Sequence, residues 1–189
     1  MKKTVLDYAL KIRLPLTLFV IAISFVLTYY ISRPERDGVG YAPVQPINFS
    51  HKLHAGTMSI DCQYCHIGVE KGRHAIIPSV NICMNCHTVA RKDKPEIIKL
   101  TQYYNEDKPI PWKRIHEVPD YVYFNHSVHV NKGIQCESCH GDVKEMNVVR
   151  QVRQFTMAAC LDCHRNAKKE LPYLKNIQNG PENCWTCHR

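Results

Sequence analysis

The stretch Cys62-Gln63-Tyr64-Cys65-His66 decides how this chain folds, because its pattern occurs four more times. The other copies are Cys83-Met84-Asn85-Cys86-His87, Cys136-Glu137-Ser138-Cys139-His140, Cys160-Leu161-Asp162-Cys163-His164 and Cys184-Trp185-Thr186-Cys187-His188. Cys-x-x-Cys-His is the attachment pattern of c-type haem. Two intervening residues let both thiols form thioether bonds along one porphyrin edge, and the adjacent His lies under the ring and ligates the iron. Zinc is the competing reading, since 17 residues separate Cys65 from Cys83 and 20 separate Cys139 from Cys160, which suits a zinc ribbon. Zinc needs no His after each second Cys, and the fifth pair has no partner. Disulfides within the pairs leave every histidine unexplained. All ten cysteines fall in the motifs, so five covalently bound c-type haems are expected.

Composition sets the architecture. Without residues 1–32 about 157 residues serve five haems, roughly one haem per 31 residues, too few to build a protein-only core beside each cofactor. The expected fold class is mostly α and irregular: a multihaem c-type cytochrome with a haem-packed core, short helices around the motifs, and one N-terminal transmembrane helix. The formal charge of +8 overstates the basicity. Each ferric haem adds about +1 at the metal core and about −2 in propionates, leaving ~+3. The basic residues are scattered and no nucleic-acid motif is visible, so no nucleic-acid partner is expected.

The chain opens with Met1-Lys2-Lys3, Lys11 and Arg13, and then runs uncharged from Leu14 to Ile31. Eighteen helical residues span about 27 Å, close to the hydrocarbon thickness. Tyr29 and Tyr30 suit an interface, and Arg33 closes the run. A cleaved signal peptide has a shorter apolar core and a small-x-small site, whereas Tyr-Tyr-Ile-Ser-Arg-Pro follows here. Residues 1–32 are therefore read as a cytoplasmic N-terminus and uncleaved anchor in membrane lipid. The expected location is the bacterial inner membrane, with the haem domain on the periplasmic side. Residues 33–46, with three prolines and two glycines, read as an extended linker. Residues 47–189 form the haem domain.

Within that domain Phe49-Ser50-His51-Lys52-Leu53-His54 precedes the first motif, and Phe124-Asn125-His126-Ser127-Val128-His129 precedes the third. The two copies are offset by 75 residues at the histidines, which indicates an internal duplication. One unit spans 47–90, the other 122–189, and 91–121 joins them. Eleven histidines less the five of the motifs, His66, His87, His140, His164 and His188, leave six for five open iron positions. His51, His54, His126 and His129 are the main candidates, since a spacing of three puts a pair on one helical face. His116 follows, and His74, in a loop-like context after Lys71-Gly72-Arg73, ranks last among the histidines. Met146, six residues past His140, is a further candidate, and a thioether ligand would raise that haem's potential. Met58, Met84 and Met157 rank below it. Pro95 to Tyr104 is expected to form a short helix, with Asp93 near its N-cap. Trp112, Tyr103 and Tyr104 are expected to lie against porphyrin faces or a partner. The fifth motif ends the chain, so its haem edge is expected near the surface as an entry or exit point.

The Phe-x-His-x-x-His plus Cys-x-x-Cys-His arrangement resembles the class III multihaem cytochromes, whose haems are mostly bis-His. The anchor, Phe49 to His54, Ile82-Cys83-Met84-Asn85-Cys86-His87, Pro119 to His126, Cys139-His140-Gly141 and Met157 to Arg165 together resemble the pentahaem cytochrome c subunit of bacterial alternative complex III. That resemblance implies an electron-transfer role in a respiratory quinol-oxidising complex. It also implies a polytopic quinol-oxidising membrane subunit and an iron–sulfur subunit as neighbours. Electrons would leave to a monohaem cytochrome c or a terminal oxidase. His74 departs from what the resemblance implies for a ligand.

Two other function classes compete. A self-contained membrane-anchored quinol dehydrogenase needs a quinol pocket beside the haem nearest the membrane, and quinol oxidation by the isolated chain would reveal it. A haem reductase needs an open iron position. The nitrite-reductase variant of the motif ends in Lys, and no Cys-x-x-Cys-Lys occurs.

Overall fold

The computed structural model describes residues 5–32 and 38–188. The chain divides into two units, Met1–Asp37 and Gly38–Arg189. The basic start Met1-Lys2-Lys3 and linker residues 33–37 lie outside the described residues.

The first unit is helical from Val5 to Ile31. Pro15 interrupts the hydrogen-bond ladder, because it has no N–H to give to the carbonyl of Lys11. The winding just before it, Ala9–Arg13, is accordingly the wider π form. From Leu14 to Ile31 the helix is regular and apolar on every side. Its threonine hydroxyls are satisfied internally: Thr17 Oγ1 donates to Arg13 O and Thr28 Oγ1 to Ser24 O, both at 2.8 Å. A hydroxyl bonded to its own helix is tolerated in lipid, where an unbonded one is costly. The helical stretch Ala9–Ile31 is long and apolar enough to cross a membrane.

The second unit is a set of short helices joined by irregular chain, with no strand among its described residues. Local capping explains where several helices start. Asp61 accepts from the backbone N–H of Gln63, Asn125 from that of Ser127, Thr156 from that of Ala159 and Asn183 from that of Thr186. Asp61 and Asn183 sit immediately before Cys62 and Cys184, so an N-cap fixes the first turn of each of those motifs. The expected helix is present as Pro95–Asn105, with its cap position at Lys94, next to Asp93, and without a side-chain cap hydrogen bond. Glu96 in its first turn instead accepts the backbone N–H of Asn48 at 2.8 Å and pairs with Lys99 at 2.7 Å.

That helix packs on the Val80–His87 helix. Between them Ile47, Met84, Leu100 and Ile110 are buried, with Val80, Cys83, Ile97, Tyr103 and Trp112 packed around them. Trp112 and Tyr103, expected against porphyrin or a partner, thus contribute to a protein cluster, while Tyr104 stays exposed.

The expected linker 33–46 is shorter than its composition implied. From Gly38 onward it is docked on the haem domain. Gly40 N–H donates to Gln151 O at 2.8 Å and Gln151 N–H to Tyr41 O at 3.2 Å. The Gln45 side chain bonds both N–H and C=O of Lys113 at 2.9 Å. A Pro- and Gly-rich stretch lacks regular structure, yet its backbone groups still find partners across the chain.

Candidate haem-binding sites

The two Phe-x-His-x-x-His copies have the same ring geometry. Phe49 stands 4.8 Å from His51 at 86° and stacks on His54 at 4.3 Å and 26°. Phe124 stands 4.8 Å from His126 at 88° and stacks on His129 at 4.6 Å and 27°. One phenyl ring thus stands nearly perpendicular to one imidazole and stacks on the other. The supporting backbone differs, being π-wound over Lys52–Thr57 in the first copy and α-helical over His126–Val130 in the second.

Each of three cassette histidines faces a motif histidine. Ring centroids are 6.2 Å apart for His54 and His87, 6.5 Å for His126 and His140, and 6.3 Å for His129 and His164. With metal–nitrogen bonds of about 2.0–2.1 Å, two imidazoles on opposite sides of one ion have centroids roughly 6.3 Å apart. The residues therefore fit a hexacoordinate iron between each pair.

The ring nitrogens carry the same message. Nδ1 meets a backbone carbonyl at 2.9 Å in His54 (Ser50), 3.0 Å in His66 (Ile76) and 3.0 Å in His87 (Ala90). It does so at 2.7 Å in His126 (Arg73), 2.8 Å in His129 (Asn125), 2.6 Å in His164 (Pro181) and 3.3 Å in His188 (Tyr121). An Nδ1–H committed to a carbonyl leaves the Nε2 lone pair free for a metal and fixes the ring's orientation. Burial, then the neighbouring His66, His54 and His116, pushes His51 down to about 4. Burial, then His116, His126 and His66, pushes His140 down to about 4 as well. Burial also lowers His116 and His129. Each effect favours the neutral imidazole, the form that binds metal.

The remaining candidates take different positions. His51 has its Nδ1 buried and unpartnered. His116 packs edge-on against His140, centroids 4.3 Å apart at 90°, with its Nε2 buried and unpartnered. That contact is too close for an ion between the two rings, and His126 already faces His140. Met146 is buried where residues 143–146 meet the Lys52–Thr57 segment, its carbonyl accepting the N–H of Lys52 at 2.9 Å. His74 is exposed. Tyr121 packs over His188 at 5.8 Å and 25°.

The thiols are grouped to match. Burial raises Cys65, Cys83, Cys139, Cys160 and Cys163, and Cys136 rises through burial and its neighbour Cys62. Sequence reading missed Gly180. A Cβ there would lie 2.6–2.9 Å from ring atoms of His164, so only glycine lets the loop close over that imidazole. The one local signal was a glycine before Pro181.

Comparison with known proteins agrees with this geometry. The family model for cytochrome c7 and related cytochrome c matches residues 122–189, and that for the class III cytochrome C family matches residues 29–109. The chain is a multihaem cytochrome c of the class III and c7 type. The two matches fall on the two units that carry the repeated cassette. The cytochrome is also similar to the menaquinone reductase, multihaem cytochrome c subunit, of Nitratidesulfovibrio vulgaris (strain Hildenborough). The two are 29% identical over 166 residues, covering 77% of each chain. Membership of these families implies covalently bound c-type haem.

Proposed function

We propose that this cytochrome is a membrane-anchored, five-haem electron-transfer subunit of a respiratory quinol-oxidising complex of the alternative complex III kind. The observation that carries the reading is the set of three opposed imidazole pairs 6.2–6.5 Å apart. Iron held on both faces at these pairs has no place for substrate, and its work there is the passage of electrons. A c-type haem supplies one-electron redox chemistry when bound. The protein supplies orientation, through the Nδ1 contacts to carbonyls and the Phe49 and Phe124 rings. The duplication assigns His51 to His66, as His126 pairs with His140. His54 with His87 and His129 with His164 complete four bis-His sets. His116 and Met146 sit beside the third motif, where they shape its surroundings.

The Ala9–Ile31 helix anchors the domain to the inner membrane with the haems on the periplasmic side. Quinone chemistry belongs to a polytopic neighbour, with an iron–sulfur subunit between, and a monohaem cytochrome c or terminal oxidase accepts the electrons. A second reading has electrons entering through the haems and reducing menaquinone, and the name of the Nitratidesulfovibrio vulgaris relative favours it. Purified complex decides between the two. Haem reduction on adding menaquinol or ubiquinol supports the first reading. Haem oxidation on adding menaquinone to the pre-reduced complex, with no reduction by quinols, supports the second. Quinol oxidation by this chain alone would favour the self-contained dehydrogenase.

A further inference from the structure

We infer that the five attachment motifs stand in space in the order second, first, third, fourth, fifth, so that the electron path does not follow the order of the chain. The inference rests on the five-haem reading above.

Each neighbour relation has its own contact. The second and first motifs meet directly, Asn85 Nδ2 donating to Tyr64 OH at 3.2 Å. The first cassette, eight residues ahead of Cys62, also reaches the second motif, since His54 faces His87. The first and third motifs are joined twice. The chain just after the first motif holds the cassette that serves the third. His126 Nδ1 donates to Arg73 O at 2.7 Å, Ser127 N–H to Gly72 O at 3.1 Å and Asn131 Nδ2 to Glu70 O at 2.9 Å. In return the chain just after the third motif holds the cassette that serves the first. Lys52 N–H donates to Met146 O, Lys52 pairs with Glu145 at 2.9 Å, Ser50 Oγ donates to Asn147 Oδ1 at 2.8 Å, and Gly56 sits directly over Lys144 O.

The third and fourth motifs share the second cassette, through His126 facing His140 and His129 facing His164. The fourth and fifth are clamped by the residues just ahead of Cys184. His164 Nδ1 donates to Pro181 O, Gly180 N–H to His164 O at 2.8 Å, and Arg165 to Glu182 at 2.8 Å.

The two ends are also marked. The helix of the second motif turns Met84 into the apolar cluster with Leu100 and Ile110, so protein walls that side. At the fifth motif Trp185 is 80% exposed. The arrangement follows from the duplication. Each unit gives its first cassette histidine to its nearest motif and its second to the next. Reciprocal docking of the two units then sets first against third and leaves second and fifth at the termini.

Nuclear Overhauser spectroscopy on the reduced holoprotein tests the order, each haem being assigned through its thioether cysteines. Cross-peaks between haem substituents are expected for second with first, first with third, third with fourth and fourth with fifth. A second-to-third contact stronger than first-to-third, or any second-to-fifth contact, would overturn the order. A redox titration of His54→Met gives an independent readout. The potential of the second haem rises, and among the others the first shifts most. A larger shift at the third, fourth or fifth would overturn the order. Pyridine haemochrome on the same sample counts the haems, so a count below five rejects the five-haem reading separately.

Discussion

His126 and His140 face each other with ring centroids 6.5 Å apart and planes within 4°. The two rings come from different parts of the chain, and His126 is oriented by Arg73, 53 residues away. Removing one ring without the other is informative. His126→Ala is expected to convert one low-spin haem to high-spin, while His74→Ala, at an exposed position, leaves all low-spin signals in place. Low-temperature electron paramagnetic resonance of the oxidised protein reads both. Low-spin signals unchanged in His126→Ala would remove it from the ligand set.

Gly180 is predicted to be intolerant of any side chain, because its Cβ would meet the His164 ring at 2.6 Å. Gly180→Ala should shift or broaden the low-spin signal of the fourth site. Gly72→Ala, whose Cβ would find only Gly68 O at 3.8 Å, should leave the spectrum as it is.

Leu100 is 4% exposed and packs in the cluster that includes Met84 of the second motif. Leu100→Ala removes a buried side chain and leaves a cavity, at a cost of about 2–5 kcal/mol. A lowered midpoint in urea unfolding, with the second haem perturbed before the fifth, is the expected result.

Glu96 gives a pH dependence with a definite sign. Its hydrogen bond from Lys99, and then that from the Asn48 N–H, hold the carboxyl below its ordinary value of 4.5. The ionised form is favoured in the fold, so its contribution is present above 4.5 and is lost as pH falls through the lower folded value. The side chain is near the surface, and the contribution is no more than about 1 kcal/mol. Glu96→Gln should lower the thermal midpoint at neutral pH, and the gap from the unaltered protein should close on acidification below 4.5.

Deleting residues 1–32 while supplying an export signal should release the haem domain from the membrane fraction. Fractionation followed by haem staining checks this. Retention in the membrane would show that a partner subunit or another surface holds it.

Much of the site was legible in the sequence because its chemistry is local. Cys-x-x-Cys-His needs five consecutive residues, and Phe-x-His-x-x-His carries its geometry within one turn. The apolar run Leu14–Ile31 and Pro95 as a helix start were legible for the same reason. What escaped reading lies between segments. The hold of Gly72 and Arg73 on the second cassette, of Gln45 on Lys113 and of Gly180 on His164 leaves no periodic trace. The packing of Trp112 and Tyr103 against the cluster of Met84, Leu100 and Ile110 is likewise a contact between segments.

Among the described residues of this 189-residue chain only eight apolar side chains are buried. A domain with so little interior of its own has little to hold it together until its cofactors are attached. Cofactor attachment is therefore expected to precede compaction. A cell short of haem would then hold a protease-sensitive chain rather than a folded, inactive subunit.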